Sequence, residues 1–181
     1  MKATGITRRI DELGRIVIPK EIRKTMKIRV GTPLEIFISS AGELIMKKYS
    51  PVLELSDIAS ECAEAIFQAT EIPNIIVDQD SVVAVAGLNK KDYINKTISG
   101  KLTKLIEKRT PSFSCQKSGG QLCEILNENN SSFGSQIVAP IVIDGDCLGA
   151  VILLSKNDKG ALQENDIRIA HTTSLFLSKQ F

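Results

Sequence analysis

The chain has 181 residues, 43% hydrophobic and 24% charged, with a formal net charge of +2. That length suits one medium domain or two small ones, and the composition is that of an ordinary globular protein. No run of about 18 apolar residues occurs, which excludes a membrane-spanning helix, and the polar opening MKATGITRRIDELG has no apolar signal core, so a cytoplasmic location is expected. The charge is unevenly spread. Residues 1–50 hold eleven Lys/Arg against five Asp/Glu, a balance of +6, and the remainder holds twelve against sixteen, a balance of −4. A basic end on a mildly acidic chain points to a nucleic-acid contact at that end.

From Ala3 to Tyr49 the apolar runs are short and β-branched: Ile6–Ile10, Ile16–Ile18, Leu34–Ile38 and Leu44–Met46, punctuated by Gly5, Gly14, Gly31 and Gly42. This pattern predicts four short strands with one helix between the second and third. The helix is expected to open at Pro19 or Lys20, because a first-turn residue has no helical N–H partner to lose. A module of about 50 residues with no disulfide or metal pattern needs a partner to bury enough surface, so dimerisation by strand exchange is expected.

Ser50-Pro51 marks a junction, Ser50 as a cap and Pro51 as a first helical residue. Leu55, Ile58, Ala59, Cys62, Ala63 and Ile66 then form one helical apolar face, ended by Pro73. "NIIVDQDSVVAVAG" reads as a hairpin. Asn89, with Asp92 three residues on, reads as the start of a second helix carrying Ile94, Ile98, Leu102 and Leu105, with Gly100 weakening its middle. Residues 110–122 read as loop and "LCEIL" as a strand. "SQIVAPIVIDGDCLGAVILLS" reads as a hairpin turning at Asp144-Gly145-Asp146, and "LQENDIRIAHTTSLFLSKQF" as an amphipathic terminal helix with Ile167, Ala170 and Leu177 on one stripe. The resulting class is α+β, an antiparallel sheet with helices packed on it. The expected division is residues 1–50, a junction at 51–53, and a second domain at 54–181.

On the first helix, at 100° per residue, Lys20, Arg23, Lys24 and Lys27 fall within about a third of a turn, with Ile22 and Met26 on another side. Arg8, Arg9 and Arg15 come from the neighbouring strand and loop, and Lys2 adds a further cation. Gly14 permits a tight turn from which Arg15 can project. Clustered cations neutralise phosphates and release counterions, and arginine can also read guanine edges or a narrow minor groove. No aromatic residues interleave with them, which favours duplex DNA over single strands or RNA. Cations in the first turn oppose the helix dipole, so stability alone does not account for them.

These residues carry a resemblance. "TGITRRIDELGRIVIPKEIRKTMKIRVGTPLEIFISSAGELIMKKY", with its core "DELGRIVIPKEIR", resembles the AbrB-type swapped-hairpin DNA-binding domain of bacterial transition-state regulators. The resemblance implies an interlocked β-barrel dimer whose DNA-contacting arginines fall on Arg8, Arg15 and Arg23. A fourth basic position falls on Lys24, where the family often has Arg; lysine keeps the charge but not the bidentate fork. Together with "KKYSP" and "KKDYINKTIS", the chain is similar to sporulation regulators of spore-forming Firmicutes that join such a domain to a GAF-like domain. That likeness implies a tetrameric transcription regulator of forespore genes, activator or repressor, associated with the nucleoid. The closing stretch is similar to the last helix of GAF domains, which often hold a small ligand.

No phosphate loop or nucleotide fingerprint names a ligand or cofactor, and none of the four cysteines (Cys62, Cys115, Cys123, Cys147) sits in a metal-binding pair. His171 reads as a helix-surface or packing residue, and no catalytic residue is assigned. Two other readings stand beside DNA binding. One is an antitoxin-like protein-interaction module, a use to which the same N-terminal fold is put. The other is a GAF-type redox enzyme using Cys115 and Cys123, although Lys117 is the only cation near enough to activate a thiol. The helices that begin and end the second half are expected to pair across a dimer as a four-helix bundle, which with the N-terminal exchange would close a tetramer.

Overall fold

A computed structural model of the chain describes residues 5–26, 28–49, 56–127, 133–156 and 162–180. The Ser50-Pro51 junction and Lys2 and Lys27 lie outside the described residues. The chain divides into two compact units, Met1–Tyr49 and Ser50–Phe181.

In the first unit, α1 spans Lys20–Thr25, with Pro19 at its N-cap position. Strands β1 (Leu34–Ile38) and β2 (Leu44–Lys48) form an antiparallel hairpin that pairs Ile36 with Met46 and Ile38 with Leu44. Both pairs lie on one face, and that face is uncovered: Ile36 is 62% and Ile38 79% exposed. Residues 6–10 and 16–18 carry no strand ladder, against expectation. A strand exists only through a partner's backbone groups, and no described segment of this chain supplies them. Ile6, Ile10, Ile16, Val17 and Met26 are exposed for the same reason, and of the expected packing side of α1 only Ile22 is half-buried.

The second unit covers its own apolar surface. Helix α2 spans Ser56–Thr70 and buries Ala59, Ala63 and Ile66. Glu71, in left-handed conformation at φ 57°, ends it. The five strands β3 (Asn74–Asp78), β4 (Val82–Ala86), β5 (Ser112–Cys115), β6 (Ser135–Ile143) and β7 (Asp146–Ser155) form one sheet in the order β4-β3-β7-β6-β5, antiparallel throughout. The β6–β7 turn uses Asp144 (φ 49°) and Gly145 (φ 87°), the two positive φ values that a two-residue hairpin of matching twist requires. The terminal helix α4 is Glu164–Ser178, opened by a reciprocal capping box between Gln163 and Asp166.

Side chains alternate across the sheet into two cores. On one face Ile76, Ala84, Ile137, Ala139, Val151 and Leu153 meet Ala59, Ala63 and Ile66 of α2 and Ala170 and Leu177 of α4. On the other face Ile75, Val77, Val138, Ile152 and Leu154 meet Tyr93, Ile98, Leu102, Ile106, Ile125 and Phe133. Asn74, fully buried, ties the first layer together, its side-chain amide donating to the carbonyls of Ala63 (2.9 Å) and Ile72 (3.2 Å).

Four expectations change here. Asn89 does not open a long helix. It caps a single 3-10 turn, Lys90–Asp92, and Asn95 at φ 61° then reverses the chain. Helix α3 is only Gly100–Ile106, capped by Ser99, whose hydroxyl accepts the Leu102 N–H at 3.0 Å, so Gly100 is its first residue and not its middle. Within 110–122, residues Ser112–Cys115 form an edge strand. Conversely, "LCEIL" is not a strand beyond one bridge between Ile98 and Leu126. Side chains hold it instead: buried Gln136 accepts the Cys123 N–H (2.9 Å) and donates to its carbonyl (3.2 Å), and the Ser99 hydroxyl donates to the Glu124 carbonyl.

Gly149 sits opposite Asp78, where a Cβ would come within 2.1 Å of the Val77 carbonyl oxygen. Gly149→Ala is therefore expected to destabilise the second unit by about 3 kcal/mol, as backbone overpacking does. Gly100→Ala, with no atom within 4 Å of the new methyl, is expected to stabilise by roughly 0.5 kcal/mol. Thermal denaturation of the two variants checks both, and equal effects would contradict the packing described.

Candidate nucleic-acid interface

The sequence "DELGR" folds into a turn closed by its own first residue. The Asp11 N–H donates to the Arg15 carbonyl at 3.0 Å and the Gly14 N–H to the Asp11 carbonyl at 2.9 Å. Gly14 adopts φ 73°, a left-handed conformation that costs glycine little. The Asp11 carboxylate completes the turn. Its Oδ1 accepts the N–H of Leu13 (3.0 Å) and of Arg15 (2.8 Å), and its Oδ2 accepts Nε–H of Arg15 at 2.9 Å. The Arg15 N–H and then its guanidinium hold the Asp11 carboxyl below its ordinary range against the opposing effect of burial, with a lesser contribution from the Leu13 N–H. The carboxylate is thus ionised at neutral pH. Both side chains remain open to solvent, 69% for Arg15 and 42% for Asp11. Arg15 projects from the loop as the sequence leads one to expect, but with an anchor that sequence reasoning missed. The available signal was an Asp four residues before the Arg across a glycine, a spacing that an Asx-type turn favours.

The other cations fall as follows. Arg8 and Arg9 are exposed on the segment before the turn, and Arg8 donates through Nη1 to the Thr7 carbonyl at 3.3 Å. On α1, Lys20 and Lys24 are exposed, whereas Arg23 is half-buried with its Nε enclosed and without a hydrogen-bond partner. Among the described residues, Lys20, Arg23 and Lys24 form no ion pair with a carboxylate, so their charge is uncompensated at contact range. The helix offers three cations on one side, and the loop offers a fourth that is held in a fixed orientation.

In the second unit, the structure separates the two cysteines proposed as a redox pair. Cys115 lies directly opposite Ser135, whose hydroxyl accepts the Leu162 N–H (2.8 Å) on the α4 face. Cys123 is held by Gln136, the next residue of β6, and packs in the core on the opposite face. The sheet stands between them. Burial raises the Cys123 thiol, helped by Glu124 and opposed by Lys101; burial also raises Cys62 and Cys147. Cys115 is the exception. Burial pushes it up, but the N–H groups of Lys117 and Ser118, the Ser118 hydroxyl and the Lys117 charge together bring it below its usual value. The turn that follows β5, and not Lys117 alone, lowers this thiol. His171 is exposed on α4, as a helix-surface residue is. Among the described residues no group of three or more His, Cys, Asp or Glu could hold a metal ion, and no helix is long and apolar enough to cross a membrane.

Comparison with known proteins bears on both units. Residues 54–181 match the family described as stage V sporulation protein T C-terminal, transcription factor, and residues 7–54 match that described as antidote-toxin recognition MazE, bacterial antitoxin. The chain is 44% identical over 180 residues to stage V sporulation protein T of Bacillus subtilis (strain 168), covering 99% of this chain and 98% of that protein. Over 51 residues it is 51% identical to the transition state regulatory protein AbrB of the same organism, 28% of this chain and 52% of that protein. The GAF domain of an Acinetobacter phosphoenolpyruvate-protein phosphotransferase superposes with a TM-score of 0.54 at 14% identity, covering 69% of this chain and 80% of that one, a likeness of fold alone. The fold is therefore α+β, an AbrB-like N-terminal domain followed by a GAF-like domain with a five-stranded antiparallel sheet and flanking helices.

With the sheet between them, Cys115 and Cys123 are expected to form no intramolecular disulfide under mild oxidation of the folded protein. A non-reducing peptide map that recovered this cross-link would contradict the two-faced arrangement.

Proposed function

The chain belongs to the stage V sporulation protein T C-terminal family of transcription factors, and from that premise we propose that residues 1–50 bind duplex DNA through Arg8, Arg9, Arg15, Lys20, Arg23 and Lys24, with Lys2 adjoining. The observation that carries this reading is the set of α1 cations without an ion pair among the described residues, together with a loop arginine held in place by Asp11. The protein regulates sporulation genes of the forespore, as activator or repressor, in the cytoplasm and on the nucleoid.

Binding requires a second copy. The uncovered face of Ile36, Ile38, Leu44 and Met46, and the unpaired segments around Ile6–Ile10 and Ile16–Ile18, are what strand exchange between two chains would bury. The GAF-like half, residues 54–181, oligomerises through α2 and α4. Exposed Leu175 and Phe176 on α4 support that role. Two different pairings make a homotetramer, and its linked basic heads raise each other's effective concentration on DNA. A small-molecule ligand or partner that altered the pairing of the GAF-like halves would change the spacing of the heads. An identical head spacing with and without a candidate ligand, measured by small-angle scattering, would sink that part.

A salt titration of duplex binding tests the central reading. Wild type is expected to show log K falling steeply with log[salt], and Arg15→Ala to show a slope shallower by about 0.9, one phosphate contact. Weak binding that is unchanged in the variant would overturn it and leave the antitoxin-like reading, to which the match over residues 7–54 also belongs. Ile38→Asp is expected to abolish N-terminal pairing and DNA binding together while leaving the GAF-like half folded. Sedimentation and circular dichroism check this, and a fully assembled variant would argue against strand exchange.

A further inference from the structure

A carboxylate in the middle of a cationic face is out of place on charge alone. Asp11 stands beside Arg15 and within four residues of Arg8 and Arg9. If it served only solubility, its effect on a polyanion would be repulsion. The geometry gives it another task. A guanidinium offers two paired faces, a side-on face using Nε with one Nη and an end-on face using both Nη groups. Asp11 Oδ2 occupies Nε at 2.9 Å, while Oδ1 fixes the backbone of the same residue at 2.8 Å. The side-on face is taken and the stem is held at both ends.

We propose that Asp11 is a positioning residue for Arg15, presenting the two Nη groups as an end-on fork to a pair of acceptors on duplex DNA. The inference rests on the DNA-binding reading above. The acceptors are two oxygens of a phosphate, or O6 and N7 of a guanine. An arginine already ordered in this way gives up less rotamer freedom on binding than a free one.

Asp11→Asn separates this task from the turn. Asparagine keeps an oxygen that accepts the Leu13 and Arg15 N–H groups and tolerates the turn, but its amide nitrogen cannot accept Nε–H. At about 0.15 M salt, where charges beyond roughly 8 Å are screened, Asp11→Asn is expected to weaken duplex binding by about 2–10-fold in a wild-type background. In an Arg15→Ala background the same substitution should change binding by less than about twofold, because the residue through which it acts is gone. Tighter or unchanged binding by Asp11→Asn, with Arg15→Ala still weakened, overturns the proposal and leaves the DNA reading intact. So does an equal loss in both backgrounds, which is the mark of a damaged turn. A wild type that shows no salt-dependent duplex binding removes the DNA reading itself, and the proposal with it. Duplex carrying 7-deazaguanine, which lacks N7, identifies the acceptor. If Arg15 reads guanine, wild type weakens on it and Arg15→Ala does not; if Arg15 holds phosphate, neither changes, and the Asp11→Asn loss persists.

Discussion

A two-stranded hairpin and one short helix cannot enclose a core, whatever their sequence. Layers must face layers, and the N-terminal unit of this protein has one layer. Its apolar side chains at Ile36, Ile38, Leu44 and Met46 therefore remain in solvent within a single chain. The chemistry of the unit follows from this shortage. The turn "DELGR" and helix α1 lie outside the hairpin, and their charged side chains are exposed except for Arg23, which is half-buried. The GAF-like unit stands at the other limit. Its sheet is covered on both faces by its own helices and loops, and among the described residues the large exposed apolar side chains on the terminal helix are Leu175 and Phe176.

The two units thus divide the thermodynamic labour. Stability resides in the part whose burial is complete within the chain, and adaptability in the part whose burial is not. A domain whose apolar face were completed only by a second copy would have a concentration-dependent stability. Within the basic unit, the same economy operates at the scale of one residue. Asp11 gives its two oxygens to three N–H groups of its own loop, and its charge is paired with the Arg15 guanidinium.

Much of this was legible in the residues. The hairpins β3–β4 and β6–β7 were readable because β-branched runs flank polar turns, and Asp144-Gly145 supplies the two positive φ values such a turn needs. Helices α2 and α4 were readable because their apolar spacing matches a face that is in fact buried. The misreading of residues 89–105 has a physical cause. Asn89 and Asp92 form a true cap, and the apolar spacing beyond it is helical, but Asn95 turns left-handed with its N–H donated to the Val82 carbonyl, and Ser99 caps a new helix, so the run breaks into a turn and a short helix. Edge strand β5 was hidden because "SFSC" is only four residues long, too short a run for its alternation to stand out from the surrounding loop; register with β6 makes it a strand. The β-branched runs at Ile6–Ile10 and Ile16–Ile18 read as strands, yet no ladder forms there in the single chain. At the candidate interface the cations were readable from charge and period. The Asp11 anchor was not, since a carboxylate next to arginine reads as ordinary surface until its oxygens are located.

The close approach at Gly149 also bears on how the sheet finds its alignment. In most antiparallel sheets one face is wet, and a slip of one residue exposes the wrong side chains. Here β3, β4 and the later part of β7 are buried on both faces, so a slipped ladder would still bury apolar groups, and polarity discriminates weakly between registers. Backbone sterics discriminate instead. Only glycine fits against the Val77 carbonyl, and a slip by one residue would bring Leu148 or Ala150 there. The absent methyl group at position 149 works as a keyway: it admits one pairing of the central strands and rejects its neighbours, whichever helices come to cover the sheet.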